Sequence, residues 1–169
     1  MRRAAIGLLV TFALGCGALC SGVRFNGTSS FPVGLYVATG KDAHKGDLVM
    51  VSLPSPPVFE MARERGYLNV AYSPVARIMK RIVGVGGDRV TIDSSGVYVN
   101  GTRLKNSAPL LRDAAGRPMP QYPLKDYVLD PDELLLMSEY NPASFDSRYF
   151  GPLHSTTTES VVRPLLTWK

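Results

Sequence analysis

Apolar and polar positions along this chain fall into three regimes. The first is an uncharged run from Ala4 to Val23, preceded by Met1-Arg2-Arg3. About 20 apolar residues span a bilayer as a helix, and positive charge ahead of such a run keeps the N-terminus in the cytoplasm. The run is rich in Gly, Ala, Cys and Ser, so it fits a cleaved export signal as well as an uncleaved anchor. With no polar face, it does not fit a buried core helix. The second regime is a series of short apolar stretches cut by Gly and Pro. Leu48 to Leu53 is apolar apart from Ser52, which predicts a strand buried on both faces. Pro54, Pro56 and Pro57 stop it. Val58 to Arg65 predicts a short helix, with Gly66 as its C-terminal stop.

Arg77 to Val83 predicts another strand, broken by Gly84, Gly86 and Gly87. Val90 to Ile92 and Val97 to Val99 flank Asp93-Ser94-Ser95-Gly96 and predict a hairpin. Asn100-Gly101 predicts a second tight turn into Thr102-Arg103-Leu104. Tyr127 to Leu129 and Leu134 to Met137 flank Asp130-Pro131-Asp132-Glu133, which predicts a third hairpin. The remaining regime is Lys105 to Pro123, irregular and proline-rich, which reads as a long loop. Many short strands with Gly and Pro turns predict a mostly β domain. The organisation expected is a hydrophobic segment over 1–24 and one folded domain over 25–169.

Length supports this, since 169 residues suffice for one domain with a real core and not for two ordinary ones. Charge changes the picture little. The formal charge is +5, and Arg2 and Arg3 supply two of those charges outside the expected domain. No stretch concentrates Lys or Arg among aromatics as a nucleic-acid face requires, so no nucleic-acid partner is expected. Both cysteines, Cys16 and Cys20, lie inside the apolar run, so the domain has neither disulfide nor thiolate chemistry. His44 and His154 sit in polar loops. Without a Cys/His cluster neither a zinc site nor any other cofactor is expected.

Two residues carry candidate chemistry. Alternation along a strand puts Ile78, Lys80 and Ile82 on one face, and Arg77, Met79, Arg81 and Val83 on the other. A lysine between isoleucines either snorkels its head to water or is desolvated. Desolvation lowers a lysine pKa by up to roughly 3–5 units, and a neutral lysine can take a proton from a serine. The segment Arg24-Phe25-Asn26-Gly27-Thr28-Ser29-Ser30-Phe31-Pro32-Val33-Gly34-Leu35-Tyr36 reads as an ordered turn. Ser30 there is either a turn residue or a nucleophile held by Pro32 and Gly34. Thr28 could join the Ser30 amide as an oxyanion donor.

As a set, these segments resemble the type I signal peptidase family, and within it the conjugative-transfer branch of TraF-type pilin maturation peptidases. Asn26 to Tyr36 resembles that branch's nucleophile box. Lys45-Gly46-Asp47-Leu48-Val49-Met50-Val51 resembles the glycine–aspartate strand box, and Lys80 to Val90 the lysine box. Ser144-Phe145-Asp146-Ser147-Arg148-Tyr149-Phe150-Gly151 resembles the final box. The four stand in the family's order and cover most of the chain. Two departures separate it from general leader peptidases: Ser30-Phe31-Pro32 has one residue fewer before proline than Ser-Met-x-Pro, and Val85-Gly86-Gly87 replaces Leu-Pro-Gly. Ser29 is the neighbouring register, and spacing to Pro32 favours Ser30.

The resemblance implies a signal-peptidase-like coiled β-sheet or β-barrel domain behind an N-terminal hydrophobic helix. It implies Ser30 as nucleophile, Lys80 as base, Thr28 as an oxyanion donor, Ser144 orienting the lysine, and Asp146 required for activity. A carboxylate beside Lys80 would raise the lysine pKa, so Asp146 is expected to support the site by pairing with Arg148. The reaction implied is acyl transfer that processes, and can cyclise, a conjugative pilin precursor. Its setting would be the periplasmic side of the inner membrane, in contact with a conjugation or type IV secretion apparatus. Three other readings compete: a general leader peptidase, a non-catalytic scaffold of pilus assembly, and a cytoplasmic self-cleaving repressor-like protein. The apolar run and the lack of a helix-turn-helix count against the last.

Overall fold

The computed structural model describes residues 22–68 and 76–168. The apolar run up to residue 21, with Cys16 and Cys20, lies outside them. Among the described residues no helix is long and apolar enough to cross a membrane.

Among the described residues eleven strands form two antiparallel sheets, so the domain is mostly β as its short apolar stretches predict. The strands of the larger sheet run in the order β1 (Val23–Asn26), β2 (Val33–Ala38), β11 (Thr158–Trp168), β3 (Leu48–Ser52), β4 (Arg77–Gly84), β9 (Glu133–Met137) and β10 (Leu153–His154). The smaller holds β7 (Thr102–Arg103), β6 (Gly96–Val99), β5 (Arg89–Asp93) and β8 (Leu124–Val128). Helix α1 (Pro57–Glu64) begins with Pro at its first position, where the missing N–H costs nothing. It ends before Gly66, whose φ of +76° fits the left-handed stop. Helix α2 (Ser147–Phe150) is a single turn.

The β3 strand is buried on both faces as expected. Val49 and Val51 join the main core with Ile78, Ile82, Phe59 and Phe145, while Met50 packs on the opposite side with Phe31, Tyr36 and Met79. Alternation in β4 sorts its side chains likewise: Ile78 and Ile82 enter the main core, Met79 and Val83 enter two others, and Arg77 reaches out to Glu159 at 2.7 Å. Lys80 lies between the isoleucines, opposite Val49 of β3.

Two sequence expectations meet corrections. The turn Asp130–Glu133 exists, with the Glu133 amide donating to the Asp130 carbonyl at 2.9 Å, yet its flanking strands do not form a hairpin. β8 pairs with β5 and β9 pairs with β4, in different sheets. The chain turns a corner there beside Gly84–Asp88: the Gly87 amide donates to the Leu129 carbonyl and the Leu129 amide to the Asp88 carbonyl, each at 2.9 Å. A Cβ on Gly86 would lie 2.7 Å from Pro131 Cα, so the glycines that break β4 also let the two segments cross the corner in contact. The second correction concerns Arg24 to Tyr36, which is two paired strands around a short turn. Val23 pairs with Val37 and Asn26 with Gly34.

Gly34 fixes how closely β2 approaches β11. A Cβ there would fall 2.3 Å from the Leu166 carbonyl oxygen and 2.7 Å from Thr167 Cα. Both are backbone atoms that cannot swing aside. Gly34→Ala is expected to lower stability by roughly 1–3 kcal/mol, read as a lower urea midpoint at unchanged slope.

Candidate active site

The turn bearing Ser30 is built by Asn26, the last residue of β1 and 5% exposed. Its Nδ2 donates to the carbonyls of Thr28 (3.1 Å), Phe31 (3.2 Å) and Pro32 (3.2 Å). Its Oδ1 accepts from the Thr28 amide at 3.1 Å and from the Thr28 hydroxyl at 2.8 Å. From β2, the Tyr36 hydroxyl donates to the Pro32 carbonyl at 2.7 Å. One buried amide thus satisfies the polar backbone on both sides of Ser30.

Strand β4 brings Lys80 to this turn. Lys80 Nζ donates to Ser30 Oγ at 2.8 Å and to Ser144 Oγ at 2.9 Å, and the two hydroxyl oxygens are 3.2 Å apart. Only 2% of Lys80 is exposed, so its head does not snorkel to water. Burial is the largest influence on its ammonium and lowers the pKa from 10.5 to about 8. The Asp146 charge raises it, Arg148 lowers it, and burial prevails.

Asp146 and Arg148 are both fully buried and pair in a fork. Arg148 Nε donates to Asp146 Oδ1 at 2.7 Å, and Nη2 to Oδ2 at 2.8 Å. This is the expected pairing. Arg148 also donates to the carbonyls of Pro142 (2.9 Å), Ser144 (2.9 Å), Asn106 (3.2 Å) and Ala108 (3.3 Å). Such coverage is what a buried ion pair needs to offset its desolvation. Between Ser144 and Asp146, Phe145 packs on Tyr67, Tyr149, Phe150 and Phe59 with ring centroids 5.5–6.4 Å apart. That aromatic cluster pins the segment in the core.

The structure therefore brings Ser30, Lys80 and Ser144 into mutual contact and sets Asp146–Arg148 behind them. Ser29 is exposed and its hydroxyl accepts from Asn141 Nδ2 at 3.0 Å. The Thr28 hydroxyl donates to Asn26, so in this state its proton is not offered to an oxyanion. Sequence reasoning gave no role to Asn26, Ser138 or Asn141. Asn26 stood inside the recognised segment, and only its burial shows what it does.

A cleft of about 270 Å³ opens beside Ser30, lined among others by Thr28, Leu110, Ala114, Met119, Ala143 and Ser144. Its outer wall is the irregular segment 105–123. The Tyr149 hydroxyl fixes that wall by accepting from the Leu110 amide at 3.0 Å. So does Asp113, which accepts from the Tyr67 hydroxyl at 2.5 Å and from Arg117 Nε at 2.6 Å. The Tyr67 hydrogen bond first, and Arg117 with it, hold the Asp113 carboxyl below the usual carboxylate range although its desolvation opposes them. No group of three metal-ligating side chains occurs among the described residues.

The sequence matches the family described as "Signal peptidase, peptidase S26" over residues 3–165. Two Escherichia coli proteins, each named plasmid transfer protein TraF, are 38% and 42% identical. The first alignment covers 99% of this chain and 98% of the relative, the second 97% and 94%. A probable conjugal transfer protein TraF from Sinorhizobium fredii is 34% identical over 99% of this chain and 86% of its own length. A crystal structure of a signal peptidase I from Enterococcus faecalis is 20% identical, with a TM-score of 0.41, covering 72% of this chain and 97% of that one. With a family match across nearly its whole length and relatives named for conjugal transfer, this chain belongs to the signal peptidase family.

Proposed function

We propose that this chain is a membrane-associated serine peptidase that processes a conjugative pilin precursor by acyl transfer. Ser30 is the nucleophile and Lys80 its general base. The observation that carries the reading is a nearly inaccessible lysine amine 2.8 Å from one serine hydroxyl. With a pKa of about 8, about a tenth of the Lys80 amines are neutral at pH 7. A neutral amine accepts the Ser30 proton, and Ser144 holds the resulting ammonium. Ser30 Oγ then attacks a peptide carbonyl in the cleft.

The oxyanion is met by the Ser30 amide and by Thr28 once its hydroxyl turns from Asn26. Collapse expels the amine, which leaves with the proton from Lys80, and an ester joins Ser30 to the substrate. Water attacking that ester gives cleavage. The amino end of the same pilin subunit gives a head-to-tail cyclic product. The setting proposed is the periplasmic face of the inner membrane, beside the conjugation apparatus, with the apolar run as signal or anchor.

Intact-mass analysis of a co-expressed pilin precursor tests this. Ser30→Ala and Lys80→Ala are expected to abolish processing, while Ser29→Ala still processes. A product one water lighter than the linear form identifies cyclisation. Continued processing by Ser30→Ala would refute the mechanism, and no processing by the unmodified chain would bring the scaffold reading forward.

A further inference from the structure

The contacts made to Ser30 from across the chain, apart from that of Lys80, come largely from one segment, the turn from Ser138 to Ser144 that joins β9 to α2. Ser144, at its far end, touches the Ser30 hydroxyl and the Lys80 amine. Its near end touches the backbone. The hydroxyl of Ser138, fully buried, donates to the Ser30 carbonyl. Asn141 Nδ2 donates to the Ser29 carbonyl at 3.2 Å. Neither contact is local, since more than a hundred residues separate the partners.

We propose that Ser138 and Asn141 are positioning residues for the nucleophile, clamping the Ser29–Ser30 backbone onto a turn that the Asp146–Arg148 pair holds in shape. This rests on Ser30 being the nucleophile. The turn is itself tied to the pair at both ends. Asp146 Oδ2 accepts from the Ser138 amide at 3.2 Å, and Arg148 holds the Pro142 and Ser144 carbonyls. Within it, the Asn141 amide donates to Ser138 Oγ at 3.3 Å, Asn141 Oδ1 accepts from the Ala143 amide at 2.9 Å, and the Asn141 carbonyl accepts from the Ser144 amide at 3.1 Å. A serine hydroxyl has one proton to donate, and Ser138 commits it to Ser30. The carboxylate therefore reaches the nucleophile by a defined route, from Asp146 through the Ser138 amide and hydroxyl to the Ser30 carbonyl. On the nucleophile's side, Asn26 fixes the flanking residues. The clamp fixes the two central peptides, which set where Ser30 Oγ and the Ser30 amide lie relative to the substrate carbonyl.

A clamp of this kind acts on geometry and leaves the acid–base partner alone. Steady-state kinetics of the full chain in membranes, with a purified conjugative pilin precursor as probe, distinguishes the two. Ser138→Ala and Asn141→Ala are each expected to lower kcat by about 10- to 100-fold, the range set by displacing a reacting atom by up to about 1 Å. KM should stay within about twofold, and the rise of kcat with pH should keep its midpoint. Asn141 is only half-buried, so its variant is expected to fold even if that of Ser138 does not. The inference is overturned if both variants keep kcat within twofold of the unmodified chain, if the loss follows the unfolded fraction by circular dichroism, or if the midpoint moves. Processing by Ser30→Ala, measured alongside, would instead remove the nucleophile reading on which it stands.

Discussion

Lys80→Met is expected to abolish processing and, at pH 7, to make the protein more stable. The loss of activity follows from removing the proposed base, a contribution of roughly 10²–10⁴ in rate. The gain in stability follows from where the amine sits. Lys80 is 2% exposed and its pKa falls from 10.5 to about 8 on folding. Below about pH 8 the folded and unfolded chains both carry the proton, and the folded chain bears the full desolvation cost. Between about 8 and 10.5 the unfolded chain holds a proton that the folded chain has released, so stability rises with pH across that window. The shift corresponds to a penalty on the order of 3 kcal/mol below it. Methionine fills the space of the lysine stem without charge, and the Ser30 and Ser144 hydroxyls, 3.2 Å apart, remain to pair with each other. A gain of roughly 1–3 kcal/mol is expected at pH 7, shrinking as the pH approaches 10.5. Urea unfolding at pH 7 and pH 10 measures both. A variant no more stable than the unmodified chain at pH 7 would show that Lys80 is not held against its charge.

That tension explains why the site was partly legible in the sequence. A lysine between Ile78 and Ile82 breaks a hydrophobic alternation, which alone fits a head that snorkels to water as well as a desolvated amine, and the resemblance of the segment around it is what singled it out. The β3 strand, the β5–β6 hairpin, the Asn100-Gly101 turn and the α1 stop at Gly66 were legible for a simpler reason. Each is specified by residues adjacent in sequence. The β8–β9 pair was not, because a turn signal reports only that the chain reverses. Whether the flanking strands pair with each other depends on Val83 to Arg89, more than forty residues earlier. β11 gave no usable pattern: Pro164 interrupts it, and a proline argues against a strand in the middle of a sheet. The structure accommodates Pro164 beside a register shift before Leu166, with the first part of β11 pairing to β3 and the rest to β2.

Roles in the site divide along the same line. Ser30, Lys80, Ser144, Asp146 and Arg148 could be picked out because reactive side chains in recognised segments invite a chemical reading. Asn26, Ser138 and Asn141 act through backbone carbonyls and amides, and a serine or asparagine that binds backbone looks in sequence like any other turn residue. What the fold adds is the identity of each distant partner.

Asp146→Asn and Arg148→Met are expected to cost similar stability and to move the pH profile in opposite directions. Each strands a fully buried charge, and breaking a buried pair from one side costs about 3–5 kcal/mol. On stability alone the two variants would look alike. Their effect on Lys80 differs. The Asp146 carboxylate favours the Lys80 ammonium and the Arg148 guanidinium disfavours it. Asp146→Asn removes the first influence and keeps the second, so the Lys80 pKa should fall below about 8 and kcat should begin its rise at lower pH. Arg148→Met leaves the carboxylate with Lys80 as a cationic neighbour, so the pKa should climb and the rise should move to higher pH. Profiles of kcat against pH, collected at a temperature where both variants remain folded, measure the two displacements. Opposite shifts would mean that the pair tunes the base as well as bracing the turn. Shifts of the same sign, or none, would leave the pair a brace alone, acting on Ser30 through Ser138 and on Lys80 only through the placement of Ser144.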